Sequence, residues 1–268
     1  MTLVFLSDIR LNAEISGPAN GPALVLLHAL GTDLTLFDAV LPLLPKGLRV
    51  LRADLRGHGG SDVPAPPYAM GALIRDAERL IEHFALKDPA ILGVSLGGLV
   101  AQGLAVKRLD LVRALILSNT AAKIGSVSLW RSRIDEVNTQ GLEAFAPAAF
   151  RRILGVNWTE SPALPKLRQM LLTTDPNGWT GCAAAIAGTD FYTTTAGLRL
   201  PTLVIAGAND GTTPPDLVRE TAELIPGHRF DLMRGVGHLP MLEKPGAYAA
   251  LLTDFLAGIG HLGPFHRG

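Results

Sequence analysis

The stretch Ile91-Leu-Gly-Val-Ser-Leu-Gly-Gly98 decides the fold, because a short apolar run leads directly into a serine flanked by glycines. An uninterrupted apolar run of this kind is typical of a strand buried on both faces. The pattern Gly93-x-Ser95-x-Gly97 is typical of a sharp strand-to-helix turn, whose strained backbone needs small neighbours and lifts the serine hydroxyl above the sheet. The alternative is a glycine-rich turn whose serine only caps a helix.

Similar apolar runs recur on both sides of this stretch. Residues 23–27, 114–117 and 202–206 are short and continuous, which predicts further strands of a parallel sheet covered by helices. Residues 9–15 alternate between apolar and polar side chains, which predicts an antiparallel strand with one solvated face.

Segments with helical spacing separate these strands, at residues 70–84, 99–107, 215–224 and 248–255. The alternation of strand and helix predicts a wound α/β sheet. It lapses between about residues 121 and 197, a stretch that contains all three tryptophans, which we interpret as a mainly helical insertion.

The composition is that of an ordinary globular protein. Of 268 residues 48% are hydrophobic, and Lys plus Arg balance Asp plus Glu at 24 each, so we expect neither nucleic acid nor a membrane as a partner. Cys182 is the single cysteine, which fits a reducing compartment. The longest uncharged run, 91–106, is shorter than the roughly 20 residues of a membrane span, and the N-terminus lacks a signal-peptide pattern. We therefore expect a cytoplasmic protein, and the oligomeric state is not predicted.

A serine nucleophile requires a base, and the base requires an acid to orient it, in the chain order Ser, Asp or Glu, His. Asp210 follows the apolar run 203–206, and His238 follows a predicted strand at 230–233. Both lie where loops leave the carboxyl ends of strands, the usual place for sites in such sheets. We therefore predict Ser95 as nucleophile, His238 as base and Asp210 as orienting acid. The alternative for Asp210 is a turn-forming residue before Gly211.

The oxyanion of a tetrahedral intermediate needs two backbone donors, and the amides of Leu30 and Leu96 are the candidates. Leu30 lies in the loop His28-Ala-Leu-Gly31, which we expect His28 to support by hydrogen bonding. Asn119 follows another strand end as a neutral neighbour of the acid. The other histidines suit the role of base less well, because of their positions in a glycine-rich loop, a helix, a strand start or the tail: His58, His83, His228, His261 and His266.

The loop Asp54-Leu-Arg-Gly-His-Gly-Gly-Ser-Asp62 is rich in catalytic residue types, but we interpret it as structural, with Arg56 and Asp62 anchoring the turn. It has no metal-ligand spacing, and no Cys-x-x-Cys, His-Glu-x-x-His or Gly-x-x-x-x-Gly-Lys motif occurs in the chain. A metal or nucleotide mechanism therefore finds no support in these motifs, and we predict no metal.

Together these motifs resemble the α/β-hydrolase superfamily over essentially the whole chain. The resemblance implies a mostly parallel eight-stranded sheet flanked by helices, with a core of residues 1–120 and 197–268 and a helical cap insertion of residues 121–196. The string Asn119-Thr-Ala-Ala-Lys-Ile-Gly125, followed by Trp130 and Arg133, is similar to the 3-oxoadipate enol-lactonase family, as are Gly181-Cys-Ala-Ala-Ala-Ile186 and His28-Ala-Leu-Gly-Thr-Asp33.

That resemblance implies hydrolysis of 3-oxoadipate enol-lactone to 3-oxoadipate in the beta-ketoadipate pathway of aromatic catabolism, without a cofactor. The substrate carries a free carboxylate, for which we predict Arg133 as partner, with Trp130 as a pocket wall. Packing of Trp130 within the cap and a solvated Arg133 are the alternative. The chain departs from the family pattern after Ile186, where Ala187-Gly-Thr189 precede Asp190 instead of a charged pair. Lys123 is a weaker candidate for the substrate, and Cys182 is expected to be a small buried residue.

Other functions remain open on these residues. A general carboxylesterase, a C–C bond hydrolase and a perhydrolase share the same nucleophile and fold. A ligand-binding receptor that keeps the hydrolase scaffold belongs to a different class. Haloalkane dehalogenases and epoxide hydrolases are disfavoured, because both need Asp at the position of Ser95.

Overall fold

The computed structural model describes residues 2–155 and 157–262, so His266 and the last six residues of the predicted core lie outside the described residues. Eight strands form one sheet in the order β1-β2-β4-β3-β5-β6-β7-β8. The pairs β1–β2 and β2–β4 are antiparallel and the other neighbouring pairs are parallel, which confirms the predicted mostly parallel eight-stranded sheet. The strands are β1 (Thr2–Leu6), β2 (Ile9–Ser16), β3 (Ala23–Leu27), β4 (Arg49–Ala53), β5 (Ala90–Val94), β6 (Ala114–Ser118), β7 (Thr202–Gly207) and β8 (Arg229–Met233).

The centre of the sheet is apolar on both faces. Every residue of β3, β5, β6 and β7 is buried, as the continuous apolar runs predict. Leu92 of β5 pairs with Leu26 on one side and with Ile116 on the other, so large aliphatic side chains stand in register across three strands. The rigid centre therefore carries the turns that leave these strands at their carboxyl ends.

Two strands were not predicted from the sequence, β1 and β4. Leu3 and Phe5 of β1 are apolar but exposed at the edge of the sheet. The strand therefore lacks the alternation of apolar and polar residues that would predict it from the sequence. In β4, Arg52 interrupts the apolar run, yet its side chain is buried and forms ion pairs with Glu14 and Asp38. The burial of a charged side chain of this kind can be predicted only once its ion-pair partners are known.

Helices cover the sheet where the spacing predicts them. They are α1 (Met70–His83), α2 (Leu96–Lys107), α3 (Val127–Leu154), α4 (Leu164–Thr173), α5 (Pro176–Ala187), α6 (Tyr192–Thr195), α7 (Pro215–Glu223), α8 (Pro240–Glu243) and α9 (Pro245–Gly258). Helix α2 begins three residues before its predicted start, because the glycines that lower helix propensity lie in its first turn, where they allow close packing.

Between β6 and β7 the described residues are helical, with α3 to α6 in succession. Helix α3 is broken at Gly141, whose φ of 80° and ψ of 169° are not helical. The segment thus has a first half before Gly141 and a second half after it. The division into a core and a cap of residues 121–196 stays a prediction. No helix among the described residues is long and apolar enough to cross a membrane.

Candidate active site

Ser95 lies at the turn between β5 and α2 with a strained backbone, φ 54° and ψ −111°. Its N–H donates to Ser118 O of the neighbouring strand at 3.1 Å. The flanking glycines have no space for a side chain, since a Cβ at Gly93 would lie 2.2 Å from Gly97 O, and one at Gly97 would lie 2.3 Å from Leu27 O. The sharp turn therefore depends on both glycines.

Asp210 and His238 are brought together by the two strands that precede them. Asp210 lies three residues after the end of β7 and His238 five residues after the end of β8. His238 Nδ1 lies 2.7 Å from Asp210 Oδ2, so a proton on Nδ1 would be donated to the carboxylate, and Nε2 is the ring nitrogen without that contact. No direct hydrogen bond joins Ser95 to His238 among the described residues, but both side chains line one cavity.

The Asp210 carboxylate accepts hydrogen bonds from several further groups. Oδ1 accepts from the backbone N–H of Thr212 and Thr213 at 2.7 and 3.0 Å, and Oδ2 accepts from the Thr213 hydroxyl at 2.8 Å and Asn119 Nδ2 at 2.9 Å. Burial acts to raise the pKa of Asp210, but the charge of His238 and these hydrogen bonds outweigh it and lower the pKa. Asp210 is therefore held ionised beside the imidazole.

The loop after β3 packs against the start of α2. Gly97 N–H donates to His28 O at 3.1 Å, which ties the loop to the first turn of the helix. Among residues 2–155 and 157–262, the backbone N–H groups of Leu30 and Leu96 donate no hydrogen bond. Two unpaired donors beside Ser95 are what a developing oxyanion requires.

Two buried histidines hold this loop in place. His28 Nε2 accepts from Leu55 N–H at 2.8 Å, as expected of a supporting residue, and His58 Nε2 accepts from Gly31 N–H at 3.0 Å. Burial lowers the pKa of His28 to about 4. Burial is the main cause that lowers the pKa of His58 to about 3, and the neighbouring His28 acts in the same direction. Both rings are therefore neutral acceptors at neutral pH, and the role of His58 at Gly31 was missed from the sequence.

A cavity lies between the sheet edge and the helices that follow β6. Ser95, His238 and Leu30 line it from the sheet side, and Trp130 and Arg133 line it from the first half of α3. The arrangement places a serine hydroxyl, an imidazole and a guanidinium around one small space.

Trp130 and Arg133 pack against each other. Trp130 Nε1 donates to Ile124 O at 2.5 Å, and Arg133 Cζ lies 4.8 Å from the Trp130 ring centroid. Lys123 does not line the cavity and pairs with Asp190 at 3.0 Å. Lys123, the weaker candidate for binding the substrate, thus forms an ion pair at the surface instead.

Cys182 is fully buried, as predicted, and burial raises the pKa of its thiol. The loop from Asp54 to Asp62 makes structural contacts. Arg56 forms a buried ion pair with Asp76 of α1 at 2.7 Å, and Asp62 pairs with Arg10 of β2. These contacts agree with the structural interpretation of the loop.

Arg152 was not singled out from the sequence, yet it lines the same cavity. It lies in the second half of α3, with Cζ 5.3 Å from the Phe145 ring centroid. Helical periodicity marks neither Arg152 nor Arg133 as facing a cavity, since both lie in a long segment with mixed polarity. Their proximity depends on the break at Gly141.

Glu243 supports the loop that carries His238. Both carboxylate oxygens accept from Gly237 N–H, at 2.9 and 3.0 Å. Burial raises the pKa of Glu243 to about 7, and the backbone hydrogen bonds offset this only in part. The raised pKa thus belongs to a carboxyl group that is hydrogen bonded to the residue before His238.

Comparisons with known proteins agree with this fold. A profile described as the alpha/beta hydrolase family matches residues 24–251. The chain is 32% identical to 3-oxoadipate enol-lactonase 2 of Acinetobacter baylyi over 243 residues, which are 90% of this chain and 91% of that protein.

Solved structures show the same architecture. An enol-lactonase from Burkholderia xenovorans LB400 superposes with a TM-score of 0.92 at 32% identity, covering 96% of this chain and 100% of the other. A thermophilic esterase from Thermogutta terrifontis, with malate bound, superposes with a TM-score of 0.87 at 29% identity and covers 94% of each chain. The similarity extends over nearly the full length in both cases.

Proposed function

The chain belongs to the alpha/beta hydrolase family, and from this premise we propose that it is a serine hydrolase that opens 3-oxoadipate enol-lactone to 3-oxoadipate. The observation that carries the proposal is the shared cavity, which Ser95, His238 and two arginines line together. The similarity to enol-lactonases supports the substrate, and the beta-ketoadipate pathway is the proposed context. The proposed location is the cytoplasm.

The first step forms an acyl-enzyme. Ser95 Oγ attacks the lactone carbonyl carbon while its proton moves to His238 Nε2. The Leu30 and Leu96 amides donate to the resulting oxyanion, and removal of one such donor typically costs about 100- to 1,000-fold in rate. Asp210 keeps the imidazole in the required tautomer and stabilises the imidazolium without taking the proton.

Collapse of the intermediate breaks the ring C–O bond and expels an enolate oxygen. The enolate is a good leaving group. It takes the proton from His238 and becomes a ketone by tautomerisation. Water then gives a proton to His238 and attacks the acyl carbon, and Ser95 recovers its proton as the carboxylic acid leaves. The net reaction consumes one lactone and one water and yields one 3-oxoadipate.

Arg133 is proposed to bind the carboxylate of the substrate, with Trp130 as a wall beside it. A guanidinium binds a carboxylate through two parallel hydrogen bonds. The contact between Arg133 and the Trp130 ring supports this assignment, since it holds the guanidinium at the cavity wall.

Freshly generated 3-oxoadipate enol-lactone tests the proposal. Loss of its absorbance with the purified protein, and no loss above background with Ser95→Ala, is the expected result. An inert Ser95, unlabelled by a fluorophosphonate and inactive on esters, would instead indicate a binding protein with a hydrolase scaffold.

A small carboxylic ester is the second candidate substrate, because a similar solved structure is an esterase and the same residues serve ester hydrolysis. Ser95-dependent cleavage of p-nitrophenyl acetate with no consumption of the lactone would favour this candidate.

A further inference from the structure

Arg152 has its backbone fixed beside the proposed base. Gly211 N–H donates to Arg152 O at 2.9 Å, and His238 N–H donates to Ile153 O at 2.7 Å. The end of α3 is thus hydrogen bonded to the loops that carry both Asp210 and His238. A side chain at Arg152 therefore has a defined position relative to the imidazole.

The break in α3 brings Arg152 to the same cavity as Arg133. The two residues are 19 positions apart, which in a straight helix of 1.5 Å rise per residue is a separation of about 28 Å. Gly141 turns the chain with a positive φ of 80°, and the second half of α3 runs back to the cavity. The fold therefore places two guanidinium groups in one small space.

Neither guanidinium has an anionic partner in the described residues. No hydrogen bond or ion pair of either guanidinium group is found there, and each group lies over an aromatic ring instead. Glu136 is the acidic residue whose charge acts on both, although it lies beyond ion-pair distance. Two cations and one more distant anion leave the cavity with an excess of positive charge, which one bound carboxylate would balance.

We propose that Arg152 is a second carboxylate-binding residue of the cavity, which holds the anionic group of the substrate together with Arg133. The ligand class is an aliphatic carboxylate small enough to lie beside Ser95. Arg152 thereby determines specificity for anionic over uncharged substrates. The proposal rests on the proposed function, since it takes the cavity beside Ser95 as the substrate site.

The electrostatics of the empty cavity agree with this role. Burial and, to a smaller extent, the charge of Arg152 together lower the pKa of Arg133 to about 10. Burial likewise lowers the pKa of Arg152. Both groups stay protonated at neutral pH, and a carboxylate between them would relieve their repulsion.

Inhibition by adipate tests the proposal independently of the lactone. Adipate is a linear dicarboxylate, and adipamide is its uncharged counterpart of equal length. Each is titrated against Ser95-dependent hydrolysis of p-nitrophenyl acetate by the wild type, Arg152→Met, Arg133→Met and the double variant. Arg151→Met is the matched control, because Arg151 is adjacent in sequence but exposed and does not line the cavity.

Loss of a charge-assisted hydrogen-bond partner should raise the adipate inhibition constant by about 10- to 100-fold in Arg152→Met. The adipamide constant should change much less, and Arg151→Met should match the wild type. The double variant should lose less than the product of the single losses, since one carboxylate contacts both groups. Arg152→Lys, which keeps the charge, should retain most of the inhibition, and Arg152→Gln replaces Arg152→Met if the latter unfolds.

The proposal is overturned if adipate does not compete in the wild type, or if Arg152→Met and Arg151→Met have equal inhibition constants. Failure of the proposed function gives a different result. Inhibition that depends on Arg152, without consumption of the enol-lactone, would remove the lactonase assignment and leave the carboxylate site. Consumption of the lactone with adipate inhibition that is independent of Arg152 would keep the lactonase assignment and remove the carboxylate site at Arg152.

Discussion

Asn119 Nδ2 donates a hydrogen bond of 2.9 Å to Asp210 Oδ2, although the two residues are 91 positions apart. The same amide donates to Gly237 O at 3.2 Å, next to His238. Asn119 follows β6 with a positive φ of 47°, a conformation that asparagine tolerates better than most residues. One neutral side chain therefore connects Asp210 to the loop that carries His238.

Replacement of Asn119 by glycine should lower kcat/KM by about 10- to 100-fold, because a hydrogen bond to a charged group contributes about 1.5–3 kcal/mol. Glycine accepts the positive φ, so the change removes the amide without adding backbone strain. Steady-state kinetics on the lactone or on p-nitrophenyl acetate measures the effect. Asn209→Ala, at an exposed position one residue before Asp210, is the control; if both variants fall within threefold of the wild type, Asn119 has no positioning role.

Gly97→Ala should destabilise the fold by at least about 1–3 kcal/mol, the usual cost of forcing an added methyl into a packed site. A Cβ there would lie 2.3 Å from Leu27 O and 2.7 Å from His28 O, and both of these atoms are backbone. Urea unfolding gives the change in free energy. Gly71→Ala is the matched control, since a Cβ at Gly71 of α1 meets nothing within 4 Å and alanine favours a helix. An unfolding midpoint of Gly97→Ala equal to that of the control would contradict the packing argument.

The buried pair His28 and His58 should make the fold sensitive to acid. The pKa of each ring is lowered in the folded chain, to about 4 and about 3, from an ordinary value of 6.5. Their contribution to stability is therefore complete above pH 6.5 and is lost as pH falls toward these values. Each neutral ring adds a slope of about 1.4 kcal/mol per pH unit within that window.

His58→Gln should remove one such slope while its amide oxygen can still accept from Gly31. Unfolding free energies at pH 7, 6 and 5 measure the difference from the wild type, in which contributions of other groups cancel. His83→Gln changes an exposed helix residue and serves as control. Parallel pH dependences of His58→Gln and the wild type would show that His58 is not a buried neutral ring.

Glu243 should give the free energy of unfolding the opposite pH dependence, with stability lost as pH rises. Its folded pKa, about 7, lies above the ordinary value of 4.5, so its contribution to stability is complete below pH 4.5 and is lost as pH rises through 7. Glu243→Gln keeps an acceptor for Gly237 N–H but cannot ionise. The variant should therefore gain stability relative to the wild type between pH 5 and pH 8, as followed by urea unfolding. Exposed Glu223→Gln should show no such gain, and a Glu243→Gln difference that is constant with pH would contradict the assignment.

Local sequence predicted the strands and the turn at Ser95 because their causes are local. The apolar runs report burial of β3, β5, β6 and β7, and the small residues around Ser95 report a turn that has no space for a Cβ. The predicted strand ends also placed Asp210 and His238 on one edge of the sheet, since parallel strands end together.

The sequence by itself thus determined the strands other than β1 and β4, the helices α1, α2, α7 and α9, and the chain order of the proposed triad. Tertiary structure alone decided the contacts between distant segments, such as Asn119 with Asp210 and Glu243 with Gly237. The break at Gly141 is the clearest case, because the chain is helical on both sides of it and only the packed chain shows Arg152 next to the cavity. The physical reason is that periodicity and turn chemistry depend on neighbours in sequence, whereas a shared cavity depends on where two separate segments meet in space.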